Sequence, residues 1–316
     1  MRRSYAVTIS TLAKRATEAG GFYALDKPVG ITSQRALTIA KRQLGVRKAG
    51  HSGTLDPLAS GLLVIAVGSW SRLLAFVLGA DKVYHAVIRL GLRTDTLDIT
   101  GAVEGFQPVP SSIGVDEVRA GLERFRGSID QIPPAFSALK INGVRAYTLA
   151  RAGQEVVLSQ RAVTIHAIEL LHLTRSGPFL DAAIRVHCSS GTYIRSLARD
   201  LGETLGMGAT LFALRRESIG SVTLESAKDP ANVEPEDRLP LSMVFPGAAY
   251  YTIDGEMLAK ARNGHALDCP PTLGASKEML VLADGVEPEH QRLVGVYAVQ
   301  DDKLVPLRVV PPEGTR

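Results

Sequence analysis

From residue 82 to residue 92 the chain alternates. Tyr84, Ala86, Ile88 and Leu90 fall on one face, and His85 and Arg89 on the other. Successive side chains of a strand point to opposite faces, so this pattern predicts a half-buried strand with one face turned to a core. Such a strand needs sheet partners, and nearby segments supply them. GFYALDKP (21–28) is an apolar run ended by proline, GLLVIAV (61–67) is apolar throughout, and 161–173, 180–187 and 210–215 are strand-like. Helical patterns interrupt them irregularly. Ser33 can cap a helix ending near Leu44 and Gly45, Ser69 can open another, and 115–126 is amphipathic. Residues 192–205 carry an apolar stripe of Ile194, Leu197, Ala198, Leu201 and Leu205. Strands and helices mixed without strict alternation predict an α+β domain around a mixed or antiparallel sheet flanked by helices.

The proline- and acid-rich stretch 227–240 (AKDPANVEPEDRLP) reads as a surface connection. Beyond Ala249, short β-like runs at 250–253, 279–283, 293–299 and 304–309 predict a small all-β unit. The expected organisation is a basic leader over 1–20, a large domain over 21–248, and a small β domain over 249–316. The leader has a faint transit-peptide look but reads as a flexible end. With 45% hydrophobic and 22% charged residues, the 316-residue chain can bury a real core. Its net charge of +4 permits a polyanionic partner without demanding one. Cys188 and Cys269 lack metal-ligand spacing and make no disulfide framework, which argues against structural zinc and points to a reducing cytoplasm. No apolar stretch is long enough for a membrane span.

Two clusters concentrate the chemistry. In GHSGTLDPLASG (50–61), glycines and small hydroxyl residues surround one carboxylate, Asp56. Pro57 keeps Asp56 out of helical geometry, so the carboxylate stands on a fixed loop. An Asp turn and a functional loop both fit that composition. The second cluster, HCSSGTYIR (187–195), sets Tyr193 and Arg195 at a helix start. An ordinary capped helix with Arg195 in solvent fits it equally well, and spacing alone does not link it to Asp56. Two basic stretches follow from charge: Arg35, Lys41, Arg42, Arg47 and Lys48 without an acid between them, and Lys140, Arg145, Arg151 and Arg161 against Glu155 alone. Charge runs are usually solvated faces, but these border small and aromatic residues, as a phosphate-binding surface would. A phosphate-binding GxxxxGK[ST] loop, an HExxH pair and a GxSxG elbow are all missing from the sequence. Asp95 and Asp98 in TDTLDITG read as a turn before Gly101 rather than a metal pair.

Taken in order, these segments resemble the bacterial tRNA pseudouridine synthase B family. LDKPVGITS is similar to its first motif and HSGTLDPLASG to its catalytic one, with Ser52 where a threonine is usual. KVYHAVIRLGLRTDTLDITG and CSSGTYIRSLARDLG are similar to two later motifs. IPPAFSALKINGVRAYTLARAG, within an insertion over 132–160, resembles the part that grips the tRNA T-arm. The resemblance implies conversion of uridine-55 of the T-loop to pseudouridine, without cofactor or metal. It implies Asp56 as the catalytic carboxylate, Arg195 as its partner and Tyr84 as the ring that stacks on the base. His51 would fill the space left by the flipped base, with Tyr193 and Leu214 as pocket contacts and Lys27 as support. Lys41, Arg42, Lys140 and Arg145 are the candidate RNA-backbone contacts. The C-terminal unit, with NGHALD at 263–268, resembles a PUA-type RNA-binding barrel. A monomer acting on tRNA is expected. The rivals are a guide-RNA-type synthase acting on ribosomal RNA, against which the insertion argues, and a tRNA-folding or binding module.

Overall fold

The computed structural model describes residues 20–137, 139–141, 143–154, 156–269, 279–283 and 293–311. The leader lies outside the described residues, Gly20 apart. In chain order the elements begin with β1 (Gly21–Lys27), α1 (Ser33–Gln43), β2 (Ala49–His51) and β3 (Ser60–Val67). A 3₁₀ turn (Gly68–Leu73) then runs into α2 (Leu74–Gly79). β4 (Lys82–Leu90), β5 (Leu92–Thr94), β6 (Val103–Phe106), α3 (Val115–Glu123) and β7 (Gly127–Gln131) follow. Next come β8 (Lys140–Ile141), β9 (Val144–Arg145), α4 (Ala146–Arg151), β10 (Arg161–Ser176) and β11 (Phe179–Cys188). α5 (Ile194–Thr204), β12 (Ala209–Ile219), β13 (Val222–Thr223), β14 (Ala227–Lys228) and α6 (Leu241–Val244) complete the larger part. The C-terminal part holds β15 (Ala249–Ile253), α7 (Gly255–Arg262), β16 (Leu267–Asp268), β17 (Met279–Ala283), β18 (Leu293–Gln300) and β19 (Lys303–Val309).

A mixed sheet in the order β14-β1-β3-β12-β4-β11-β10-β7 spans the larger part, with β2 on β3 and β13 on β12. β1–β14 and β12–β3 pair in parallel, and the other pairs are antiparallel. β3 is buried from Gly61 to Val67, as a strand covered on both faces should be. On one face Leu63, Ile65 and Val67 meet Ala36, Leu37 and Ala40 of α1. On the other, Leu62, Val64 and Ala66 meet Trp70, Leu73, Leu74 and Val77. Farther along, Tyr84, Ala86, Ile88 and Leu90 of β4 share a core with Val118 and Leu122 of α3 and Leu197, Ala198 and Leu201 of α5. Each fully buried large aliphatic side chain contributes about 1.5–3 kcal/mol. The alternation of β4 and the stripe of α5 are therefore what lock the middle of the sheet to its helices.

Several local expectations change. The cap of α1 is Thr32, whose side chain accepts from the Arg35 amide. Ser33 sits one residue inside the helix, which frees its hydroxyl for another partner. Ser69 lies within the 3₁₀ turn and caps nothing. α5 begins at Ile194, with Tyr193 at its cap position. The stretch 227–240 is more than a connection, because Ala227 and Lys228 pair with Ala24 and Leu25 at the sheet edge. The C-terminal part is a five-stranded sheet, β15-β17-β18-β19-β16, and it also carries α7. EMLAKAR is composed of strong helix formers, so a purely β unit was too simple a reading. Tyr297 Oη of β18 donates to Ala261 O of α7 at 3.1 Å, tying the helix to its sheet.

Candidate active site

The Asp56 loop joins β2 to β3 and is clamped from the first segment of the fold. The Ser33 hydroxyl accepts from the Leu55 amide at 2.7 Å and donates to the Leu55 carbonyl at 3.0 Å. The Gly30 amide donates to Pro57 O at 2.7 Å, and the Ala59 amide to Asp56 O at 3.0 Å. Lys27 is fully buried, and its Nζ donates to Pro28 O and Ile31 O, each at 2.8 Å. It therefore holds the turn from which Gly30 and Ser33 grip the loop. Burial lowers the Lys27 ammonium to about 8, with nearby Asp56 opposing the shift and Arg216 adding to it. Gly61 closes the loop at φ +102°, and a Cβ there would lie 2.3 Å from the Arg216 carbonyl. Only glycine lets β3 and β12 approach this closely.

Arg195 points inward from the first residues of α5 and is buried. Its Nη2 lies 3.0 Å from Asp56 Oδ2 and its Nη1 3.8 Å from Asp98 Oδ2. It also donates to Thr96 O at 3.0 Å and Phe136 O at 2.9 Å. The solvent-facing alternative for Arg195 is thus excluded. Asp98 does shape a turn, since its Oδ1 accepts from Thr96 and from the amide and hydroxyl of Thr100. Its second oxygen faces Arg195, a relation the sequence did not disclose. Asp56 keeps 40% of its side-chain surface open, so a ligand can reach it. Burial raises its pKa above the ordinary carboxylate value; Arg195 pulls it down, Asp98 pushes it up, and Lys27 pulls it down. Arg195 therefore opposes, without cancelling, the tendency of the site to protonate Asp56.

Asp56 opens onto a cavity of about 340 Å³. Tyr84, Tyr193, Arg195 and Leu214 line it, so five expected residues meet at one site. That volume is at the small end of the roughly 300–1,000 Å³ usual for ligand pockets. Tyr84 belongs to the buried face of β4 and is pushed by burial to a raised phenol pKa, with Arg216 counteracting. His51 is not among the cavity-lining residues. Burial, then Arg216, holds its imidazole below the ordinary pKa, and its Nδ1 is buried without a partner among the described residues. Lys41 and Arg42 occupy the last turn of α1, where cations also suit the helix dipole. Arg145 is exposed, 5.9 Å from the Tyr147 ring. Lys140 pairs with it in the β8–β9 ladder, and the Lys140 side chain lies outside the described residues.

Two cations at the site escaped the sequence reading. Lys82 lines the cavity, with Nζ donating to Leu78 O and Ala80 O at 2.6 Å each, and burial lowers it to about 8. Arg216, 2% exposed, donates to Leu62 O at 2.7 Å and Gly53 O at 3.3 Å. Lys82 falls on the same alternating face as Tyr84, a signal that was present. Arg216 faces Tyr84 across the ladder beside a register shift at Arg216/Ser218, which no pattern announces.

The TruB family pseudouridylate synthase (N terminal domain) profile matches residues 41–194. The tRNA pseudouridine synthase B of Cupriavidus pinatubonensis is 41% identical over 306 residues, covering 93% of this chain and 95% of that protein. The enzyme of the same name from Burkholderia pseudomallei is 41% identical over 313 residues, covering 95% and 99%. That from Leifsonia xyli subsp. xyli is 46% identical over 217 residues, covering 68% and 72%. Among solved structures, a chain of a Cbf5-Nop10-Gar1 complex superposes with TM-score 0.66 at 24% identity, over 95% of this chain and 87% of that one. A chain of an H/ACA RNP bound to a substrate RNA containing 2'-deoxyuridine gives 0.64 at 22%, over 94% and 87%. Those two likenesses show a shared fold. Full-length identity above 40% goes further, and the chain belongs to the TruB family of tRNA pseudouridine synthases.

Proposed function

We propose that this protein converts a uridine of tRNA, at position 55 of the T-loop, to pseudouridine. The observation that carries the proposal is the Asp56–Arg195 pair, 3.0 Å apart at a cavity walled by Tyr84, Tyr193 and Leu214. A uridine packed in a folded loop must be extruded before it can be reached, at a cost of a few kcal/mol. Stacking on a ring such as Tyr84 returns about 1–3 kcal/mol. The reaction breaks the N1–C1′ bond, turns the uracil and forms a C5–C1′ bond. C5 loses a proton and N1 gains one, so nothing is oxidised and no group departs. Asp56 can serve by attacking the sugar, attacking the base or taking the C2′ proton. Each role needs a carboxylate, which Arg195 favours against burial and against Asp98. Asp56 is the catalytic residue in this reading. Tyr84 touches the base, Arg195 positions and charges Asp56, and Lys27 holds the turn beneath.

His51 would occupy the space the flipped base leaves, in its neutral form. Residues 21–248 would act as the catalytic domain, 132–160 as the T-arm grip and 249–316 as a PUA-like RNA-binding domain, in a monomer working in the cytoplasm. No helix among the described residues is long and apolar enough to cross a membrane. The test is an unmodified T-arm stem-loop transcript incubated with the protein alone, with pseudouridine mapped by carbodiimide adduct and primer-extension stop. A stop at the T-loop uridine is expected. A stop that needs an added guide RNA would favour the guide-dependent reading. Tight binding without a stop would favour a folding or binding role.

A further inference from the structure

A bulge in the β10–β11 pair builds a second constellation outside the cavity. Ile165 pairs with Cys188 and Ala167 with His187, so His166 is the extra residue. The burial pattern shows the same slip, with Val163, Ile165 and Ile168 buried and His166 and Ala167 both exposed. Bulges set two residues against one and re-aim a side chain. Here the bulge lays the His166 ring beside that of His187, centroids 4.8 Å apart and planes tilted by 46°. Asp81, just ahead of β4, completes the group. Its Oδ2 lies 3.1 Å from His166 Nε2 and 3.9 Å from His187 Nε2.

Two imidazole nitrogens thus converge on one carboxylate oxygen. A hydrogen bond accounts for the shorter contact, but 3.9 Å is too long for one, so hydrogen bonding leaves His187 unexplained. A metal ion accounts for both. Tetrahedral zinc at about 2.0–2.2 Å from nitrogen and oxygen ligands separates those ligands by about 3.3 Å. The three donor atoms already lie within 4.8 Å of one another. Their side chains are 37–46% exposed, so an ion can enter and small rotations can close the shell. Two imidazoles with one carboxylate suit zinc, cobalt, nickel or copper better than magnesium or calcium, which prefer all-oxygen shells.

We infer that Asp81, His166 and His187 bind one divalent transition-metal ion of the zinc class, with the remaining coordination position open to water. This inference goes beyond the isomerisation and does not rest on it. The three side chains come from β10, β11 and the residue before β4, and none of them lines the cavity. No step at Asp56 is routed through this metal site. Among the described residues no other trio of such side chains has its ligand atoms grouped this closely.

The test uses the tag-free full chain, stripped of metal with chelator. Cobalt(II) gives a visible d–d band when bound in a tetrahedral site, and zinc(II) is followed by calorimetry. One ion per chain is expected, with zinc displacing cobalt and its band. His166→Ala should weaken binding at least tenfold. Its metal-free circular dichroism and melting temperature should match wild type, because His166 is an exposed bulge residue. His85→Ala, on β4 but outside the trio, should bind like wild type. Absence of a tetrahedral cobalt band in wild type, or equal zinc affinity in wild type and a folded His166→Ala, would overturn the inference.

Discussion

Replacing Arg195 with alanine strands two carboxylates at once. The guanidinium pairs with Asp56 at 3.0 Å, faces Asp98 at 3.8 Å and bonds two backbone carbonyls. Asp98 is 4% exposed, so its charge cannot turn to water. Removing one partner of a buried pair costs about 3–5 kcal/mol, mostly from the charge left behind. Asp56 is partly open to solvent, which places the expected loss near the lower end, about 3 kcal/mol. Urea unfolding should show this as a lower midpoint at unchanged slope. A double-mutant cycle isolates the cause. Asp98→Asn removes one of the stranded charges, so the double variant should be about 1–2 kcal/mol more stable than the summed single losses predict. Activity should shift as well. Arg195 is the strongest influence pulling the Asp56 pKa down, so without it the acid limb of the pH–rate profile moves to higher pH. A single variant within about 0.5 kcal/mol of wild type, or an additive cycle, would refute the claim that Arg195 holds these carboxylates.

Gly61→Ala should lower the melting temperature by about 5 °C or more, since the new Cβ meets the Arg216 carbonyl at 2.3 Å and the backbone φ is +102°. An unchanged melting temperature would show that β3 and β12 can part without cost. Lys27 and Lys82 both sit at about 8 in the fold against an ordinary 10.5. The unfolded chain then binds more protons between those values, so stability should rise with pH from about 8 to 10, each lysine supplying up to about 3 kcal/mol. Lys82→Met should flatten that rise in urea titrations across the window, and an undiminished rise would place its origin elsewhere. Neutralising Lys41 and Arg42 together should weaken tRNA binding and make the log–log salt slope shallower by about 1.5. An unchanged slope would remove the end of α1 from the interface.

What the sequence disclosed followed local periodicity. The apolar run of β3, the alternation of β4 and the stripe of α5 are each set by residues within one element, and the structure keeps all three. The four C-terminal β runs were equally plain, while α7 was lost between them. Asp56, Tyr84, Tyr193, Arg195 and Leu214 came together only through family resemblance. They sit on a loop, two strands and a helix start, and no spacing rule joins these. Features hidden from the sequence depend on long-range register. Arg216 meets Tyr84, and His166 meets His187, beside shifts in the ladder that reverse which residues face which way. The freeing of Ser33 to clamp Leu55 likewise depends on Thr32 taking the cap, a one-residue choice that composition does not make.

The proposed function puts the isomerisation on the carboxylate of Asp56. It is tested most directly with Asp56→Asn beside wild type on the same unmodified T-arm transcript, scoring both pseudouridine formed and RNA bound. Asparagine keeps the size and the Pro57-fixed loop but removes the charge. The variant should form no detectable pseudouridine and bind RNA within a few-fold of wild type. Continued turnover by Asp56→Asn, or affinity lost together with activity, would contradict it by making Asp56 a structural residue of the loop.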